Sequence, residues 1–369
     1  MTGDGTRVVH AGVPLAVPGR PFLPGPGFGA PYHLDPVLGP QPGVDGYGRT
    51  DNATWRALEA AIGGLEGGEC VTFASGMAAV SAVLLSVLRP GDTVVVPADG
   101  YYKTRAFASS HLAERGVTVL EAPTAGPYPA LETVRLLLLE TPANPGLDVC
   151  DIAALAARVH AGGGLVAVDN TTATPLGQRP LDLGADISVA SGTKALTGHS
   201  DILLGYACTR DPELAAALTA WRGSTGAVLG PFEAWLAHRS IGTLDLRLAR
   251  QTTNATAVAA LLAAHPAVSS VRWPGRPEDP AYAVASRQMR RVPGVVTFTL
   301  ADKAAVDRFL EAAELVFAAT SFGGLHSSAD RRAQWGDDTP DGLIRFSCGI
   351  EDTDDLVADV RRALDAVVA

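Results

Sequence analysis

Ser188-Val-Ala-Ser-Gly-Thr-Lys-Ala-Leu-Thr-Gly-His-Ser-Asp201 places a lysine, Lys194, between the hydroxyl residues Ser191 and Thr193 and a glycine-bearing turn, straight after the apolar run Asp186-Ile-Ser-Val-Ala190. Lysine at a strand end in a mostly buried segment is costly, because its ammonium loses its water. Burial lowers an amine's pKa, and a partly deprotonated lysine is a nucleophile towards aldehydes. Upstream, Gly164-Leu-Val-Ala-Val-Asp-Asn170 is a second apolar run, ending in the carboxylate of Asp169. Such a lysine following a strand-end aspartate meets two requirements of pyridoxal phosphate: an imine anchor, and an anion for the pyridinium nitrogen. Taken alone, the same pattern also describes a surface lysine after a strand.

Working outward, short aliphatic runs alternate with helical patterns. Val71–Ala74, Thr93–Pro97, Val117–Leu120, Arg135–Glu140, Leu165–Val168, Ile187–Ala190 and Ile202–Ala207 read as strands. Asn52 and Thr54 cap a helix with Trp55, Leu58, Ile62 and Leu65 on one face, and Gly67-Gly68 stops it. Met77–Leu88 is apolar on nearly every side and should be buried. Asp151 caps a further helix carrying Ile152, Leu155 and Val159. Near-continuous aliphatic strands between helices indicate an α/β fold with a mostly parallel sheet covered on both faces. The texture changes near residue 230: one long or broken helix over residues 233–265, then strands at 295–300, 317–322 and 343–347 and helices at 304–314 and from 353, a smaller α+β unit. Residues 1–50, rich in proline and glycine from 11 onward, read as an arm reaching a neighbouring subunit. The expected division is 1–50 arm, 51–232 large domain, 233–369 small domain.

With 369 residues, 47% of them hydrophobic and 18% charged, the chain is compact and long enough for two domains. A net charge of −10 disfavours a nucleic-acid or anionic-membrane surface. There is no apolar leader and no run long enough to span a bilayer, so the cytoplasm is expected. Cys70, Cys150, Cys208 and Cys348 are scattered and read as reduced, buried small hydrophobes. The histidines show no H-E-x-x-H spacing and no G-x-S-x-G elbow occurs, so neither a metal site nor a hydrolase is expected.

Ser75-Gly76-Met77 lies between a strand and a buried helix, where free amides and the helix dipole make a seat for phosphate. An ordinary strand-to-helix turn has the same form. Tyr101 follows a strand and can stack on a flat ring or simply pack. Asp169 sits where an open α/β sheet places ligand groups, and a helix cap would look alike.

Together these pieces resemble one family. Tyr47-Gly-Arg-Thr50, Leu65-Glu-Gly-Gly68, Ser75-Gly-Met-Ala-Ala79, Arg89-Pro-Gly-Asp92, Tyr101-x-x-Thr104, Glu140-Thr-Pro-Ala-Asn-Pro145, Val168-Asp-Asn-Thr-Thr-Ala-Thr-Pro175, Ser191-Gly-Thr-Lys194, Gly198-His-Ser-Asp201, Ser321-Phe-Gly-Gly324 and Leu343-Ile-Arg-Phe-Ser-Cys-Gly-Ile-Glu-Asp352 follow in order. The chain is similar in this to the cystathionine γ-synthase/γ-lyase family of sulfur amino-acid metabolism, and most to shorter actinobacterial cystathionine γ-lyases. The resemblance implies the aspartate-aminotransferase-like fold (fold type I) and pyridoxal phosphate as cofactor. It implies that Lys194 anchors the cofactor and shuttles protons, Asp169 pairs with the ring nitrogen, and Tyr101 stacks over the ring. Ser75, Gly76, Met77, Ser191 and Thr193 would hold the phosphate, with Tyr47 and Arg49 of an adjacent subunit. Asn144 would meet the ring's phenolic oxygen, and Arg345 the substrate α-carboxylate, with Ser321 lining that pocket.

The implied reaction is γ-elimination of L-cystathionine to L-cysteine, 2-oxobutanoate and ammonia, in a homotetramer built as a dimer of dimers with shared sites. A γ-synthase, a methionine-γ-lyase-like C–S lyase and a non-catalytic PLP-fold binding protein are the other readings. The sequence departs from the family pattern at Ala53, Tyr102-Lys103, Thr320 and Leu325–Arg332. The tyrosine motif carries no cysteine, unlike methionine γ-lyases, and Thr320 stands where many members place an acid.

Overall fold

The structure, a computed structural model, describes residues 2–39, 41 and 44–368. Its larger sheet has seven strands: β1 Glu69–Phe73, β2 Thr93–Pro97, β3 Thr118–Ala122, β4 Leu136–Glu140, β5 Leu165–Asp169, β6 Ile187–Ser191 and β7 Gly205–Thr209, in the order β1-β7-β6-β5-β4-β2-β3. The run from β6 to β3 is parallel, and β7 lies antiparallel between β1 and β6. The β4 sequence shows why it forms the centre. Leu136 and Leu138 join the core on one face, with Val83 and Leu84 of helix Gly76–Val87, while Leu137 and Leu139 join the other, with Leu155 and Val159 of helix Ile152–Ala161. A strand buried on both faces has no polar side to show, which is why its apolar residues run without a break.

The smaller sheet adds β8 Ser270–Arg272, β9 Val295–Thr299, β10 Phe317–Ala318, β11 Ser328–Arg331 and β12 Leu343–Ser347, in the order β10-β11-β12-β9-β8. Here the period of two sorts residues by task. Val296, Phe298, Ile344 and Phe346 face the apolar core shared with helices Lys303–Ala312 and Thr353–Val368. Thr297 and Arg345, a cross-strand pair between them, turn the other way: Thr297 donates from its hydroxyl to the Pro145 carbonyl at 2.7 Å, and Arg345 reaches Asn144. The alternation thus delivers one arginine to the larger sheet's loops.

Several expectations needed adjustment. The helix over 233–265, read as one long or broken helix, is the broken one: Pro231–Ile241 and Leu244–Ala264, interrupted at Gly242-Thr243. The second spans both units: Leu244 and Leu248 pack with the larger core, and Ala255 to Leu262 with the smaller. The expected strand over 317–322 ends at Ala318, because Ser321 takes a left-handed φ of 75° that no strand continues. Helices Pro212–Thr225 and Tyr282–Gln288 and the short β8 and β11 were not foreseen. Within the arm, Asp4–His10 is helical and Val8 is buried against this chain's own core. Beyond it Leu15, Phe22 and Val37 are 92%, 91% and 87% exposed, apolar side chains that the chain itself leaves uncovered. Among the described residues no helix is long and apolar enough to cross a membrane.

Candidate active site

A cavity of about 450 Å³ opens at the carboxyl ends of the larger sheet's parallel strands, roofed by residues of the smaller unit. Ser75, Gly76, Met77, Tyr101, Asn144, Asp169, Ser191, Thr193, Lys194, Ser321 and Arg345 all line it. One cavity therefore gathers eleven of the singled-out residues from seven stretches of chain.

Its floor is set by close backbone approach. Gly76 opens helix Gly76–Val87, and a Cβ there would come within 2.6 Å of the Ser191 Cβ. Only glycine lets the helix start so near β6. Ser75 caps the helix, its hydroxyl accepting from the Ala78 amide at 3.2 Å. The amides of Gly76 and Met77 then face the cavity end of the helix dipole, the arrangement that receives a phosphate. Thr193 is anchored on both sides by Leu204, accepting its amide at 2.9 Å and donating to its carbonyl at 3.2 Å.

Asp169 ends β5, in register with Glu140 at the end of β4. Burial raises the carboxyl pKa of both; the Asp169 charge raises Glu140's further while the Tyr101 and Asn144 amides lower it, and the Thr171 hydrogen bonds and the charge of Lys194 pull Asp169 back down. The Thr171 amide donates to Asp169 at 3.0 Å, and the Thr171 hydroxyl accepts the Ser191 amide at 2.8 Å, tying β5 to β6. Glu140 accepts the amides of Tyr101 at 2.7 Å and Asn144 at 2.9 Å, one on each oxygen. A single buried carboxylate thus fixes the two loops that carry the aromatic ring and the carboxamide.

Lys194 Nζ donates to Ser321 Oγ at 2.7 Å and lies 5.5 Å above the Phe322 ring. Burial, then the positive charge of Arg345, lowers its amine to about 8, while Asp169 opposes the shift. Ser321 can come this close because Gly323, also left-handed at φ 80°, passes against the Ala195 amide, where a Cβ would stand 2.5 Å from it. Arg345 donates from Nη1 to Asn144 Oδ1 at 2.7 Å and from Nη2 to the Ser321 carbonyl at 2.8 Å; its buried Nε–H has no partner. A guanidinium that lines a cavity is a place for an anionic ligand group.

Tyr47 and Arg49 lie outside this cavity. Arg49 donates to the Gly223 carbonyl at 2.6 Å, with its guanidinium 5.4 Å over the Tyr47 ring, which is half exposed. Glu140, Thr171, Arg332 and Trp335 also line or brace the cavity and were not singled out. Glu140 carried a usable signal, since it ends an aliphatic strand in a carboxylate as Asp169 does. Arg332 and Trp335 carried none, as they lie in a segment without periodicity.

These residues fit pyridoxal phosphate. Burial lowers the Lys194 amine to about 8, the buried Asp169 carboxylate feels its charge, and the helix start is opened by a glycine. Fold and site together define a pyridoxal-phosphate-dependent enzyme. Residues 38–365 match the family described as Cys/Met metabolism PLP-dependent enzyme. A Streptomyces coelicolor protein provisionally named cystathionine gamma-lyase is 55% identical over 98% of this chain and 94% of its own length. The L-methionine gamma-lyase of Pseudomonas deceptionensis is 41% identical over 87% of this chain and 85% of its own. The solved cystathionine gamma synthase of Xanthomonas oryzae pv. oryzae, in complex with aminoacrylate and cysteine, superposes with a TM-score of 0.95 at 32% identity, covering 100% of this chain and 99% of that one. The chain belongs to the Cys/Met metabolism family of PLP-dependent enzymes, with the fold type I architecture and the cofactor of that family.

Proposed function

We propose that the protein is a cystathionine γ-lyase, converting L-cystathionine and water to L-cysteine, 2-oxobutanoate and ammonia. The observation that carries this reading is the Lys194 amine, lowered to about 8 and hydrogen-bonded to Ser321 beside an arginine whose Nε–H is unpartnered. When bound, pyridoxal phosphate supplies an aldehyde for the substrate amine and a ring that accepts the electron pair left at Cα. Lys194 Nζ takes the Cα proton and then moves protons at Cβ, so that the γ-thioether can leave; an amine near 8 serves as both acceptor and donor. Asp169 would hold a proton on the ring nitrogen, Tyr101 would cover the ring face, and Asn144 would meet the phenolic oxygen. Ser75, Gly76, Met77, Ser191 and Thr193, which line the cavity, would bind the phosphate. Arg345 orients the substrate by its α-carboxylate, with Ser321 beside it.

Tyr47 and Arg49 complete the phosphate site of a neighbouring copy in a homotetramer, a dimer of dimers. Support comes from their position outside this chain's cavity and from the uncovered apolar arm before them. The cytoplasm is the proposed location. Cystathionine γ-synthase is the second reading, favoured by the likeness to the Xanthomonas enzyme. Purified protein is incubated with cystathionine, and separately with O-succinylhomoserine plus cysteine. 2-Oxobutanoate and cysteine forming faster in the first supports the lyase; faster cystathionine formation in the second reverses the assignment.

A further inference from the structure

Residues 325–341, part of which departs from the family pattern, form a buried ionic clip behind Arg345. The antiparallel register of β11 and β12 sets Asp330 directly opposite Arg345. Asp330 Oδ2 accepts from Arg345 Nη2 at 3.2 Å and from Arg332 Nη1 at 2.7 Å; Oδ1 accepts from the Trp335 indole N–H at 2.8 Å and Gln334 Nε2 at 2.9 Å. The chain turns through a single helical turn, Arg332–Trp335, and left-handed Gly336, returning Asp337 to Arg332 at 2.6 Å. Asp330, Arg332 and Arg345 are each under 5% exposed. Two carboxylates balance two guanidiniums, so the charges are held rather than free.

The geometry points to Asp330 as a positioning residue for substrate recognition: through Nη2 it fixes the Arg345 guanidinium at the cavity wall, and by the same carboxylate it holds the Trp335 indole in that wall. It touches no reacting atom and acts through Arg345, so this rests on the reading that Arg345 receives the α-carboxylate.

The test is binding of L-norleucine, which has no γ leaving group, and of pentylamine, the same molecule without its carboxylate, to the holoenzyme. Both are followed by the cofactor's visible absorption. Asp330→Asn should weaken norleucine about tenfold and pentylamine less than about twofold, since a buried charge pair loses one partner. Asp330→Glu should recover part of the loss. Trp335→Phe, at a half-exposed position, keeps the ring, removes one donor to Asp330, and should weaken norleucine about two- to threefold with pentylamine unchanged. Equal shifts for both ligands in Asp330→Asn and Trp335→Phe, or none, overturn the proposal. Arg345→Ala separates the two ideas: loss of the preference for norleucine upholds the carboxylate reading even where Asp330 fails, and a preserved preference overturns both.

Discussion

Two pairs of buried carboxylates brace this cavity, and they are treated in opposite ways. Asp330 and Asp337 are clamped by Arg332 and Arg345, with every charge matched. Asp169 and Glu140 stand in register at the ends of β5 and β4, with backbone amides, a threonine and the distant charge of Lys194 as their support. A matched cluster is inert and can only hold geometry. An under-compensated pair keeps its pKa raised and stabilises whatever positive group enters, which for a pyridinium is the task required.

The largest effect should come from Lys194, whose charge reaches Asp169 of the second pair. Lys194→Ala should lower 2-oxobutanoate release by about 10⁴-fold or more, because anchor and proton carrier vanish together. Borohydride should then no longer fix the visible chromophore to the chain. Next, Asp169→Asn removes the charge and keeps the shape, and should cost about 10²–10⁴-fold in kcat, by analogy with other losses of a proton-holding carboxylate. A smaller loss than for Glu140→Gln would reverse the roles assigned to the two.

The pH dependence follows from the direction of the lysine shift. Its pKa is lowered from 10.5 to about 8, so the amine is charged below that value and free above it. Only the free amine attacks an aldehyde. Cofactor uptake by the apoenzyme should therefore rise about tenfold per pH unit below about 8 and level off above it. A profile still climbing steeply near pH 10 would mean that the cavity does not depress the amine. Smaller again is Glu140→Gln, which can keep one acceptor and sets an N–H against an amide. About tenfold in kcat is expected, with a shifted pH profile, since one of the Tyr101 and Asn144 loops loses its anchor.

The two pairs also differ in how far the sequence showed them. Lys194, Asp169 and Ser75-Gly76 were legible because each ends or begins a strongly periodic element, and an open parallel sheet fixes where such ends go. Ser321 and Arg345 came through the ordered motif resemblance, and the alternation of β12 explains afterwards why Arg345 leaves the apolar face. The clip was illegible. Its residues are local neighbours joined by a register, a helical turn and a left-handed glycine, none of which leaves a hydrophobic period to read. The early stop at Ala318 failed for the same reason, backbone geometry overriding side-chain pattern.

The mildest perturbation tests the matched pair at its outer member. Asp337 does not reach Arg345; it accepts from Arg332 Nε at 2.8 Å and Nη2 at 2.6 Å, with its side chain 5% exposed. In Asp337→Asn the charge on Arg332 is balanced by Asp330 alone, so Asp330 is drawn towards Arg332 and its 3.2 Å contact with Arg345 weakens. KM for the amino-acid substrate should rise about two- to fourfold with kcat within about twofold, because orientation of the carboxylate is loosened while Lys194 and Asp169 are untouched. Steady-state kinetics at fixed pH reads this split. A fall in kcat with KM unchanged would place the clip in the chemistry of the amine, through the positive charge of Arg332 on Lys194, rather than in the recognition of the carboxylate.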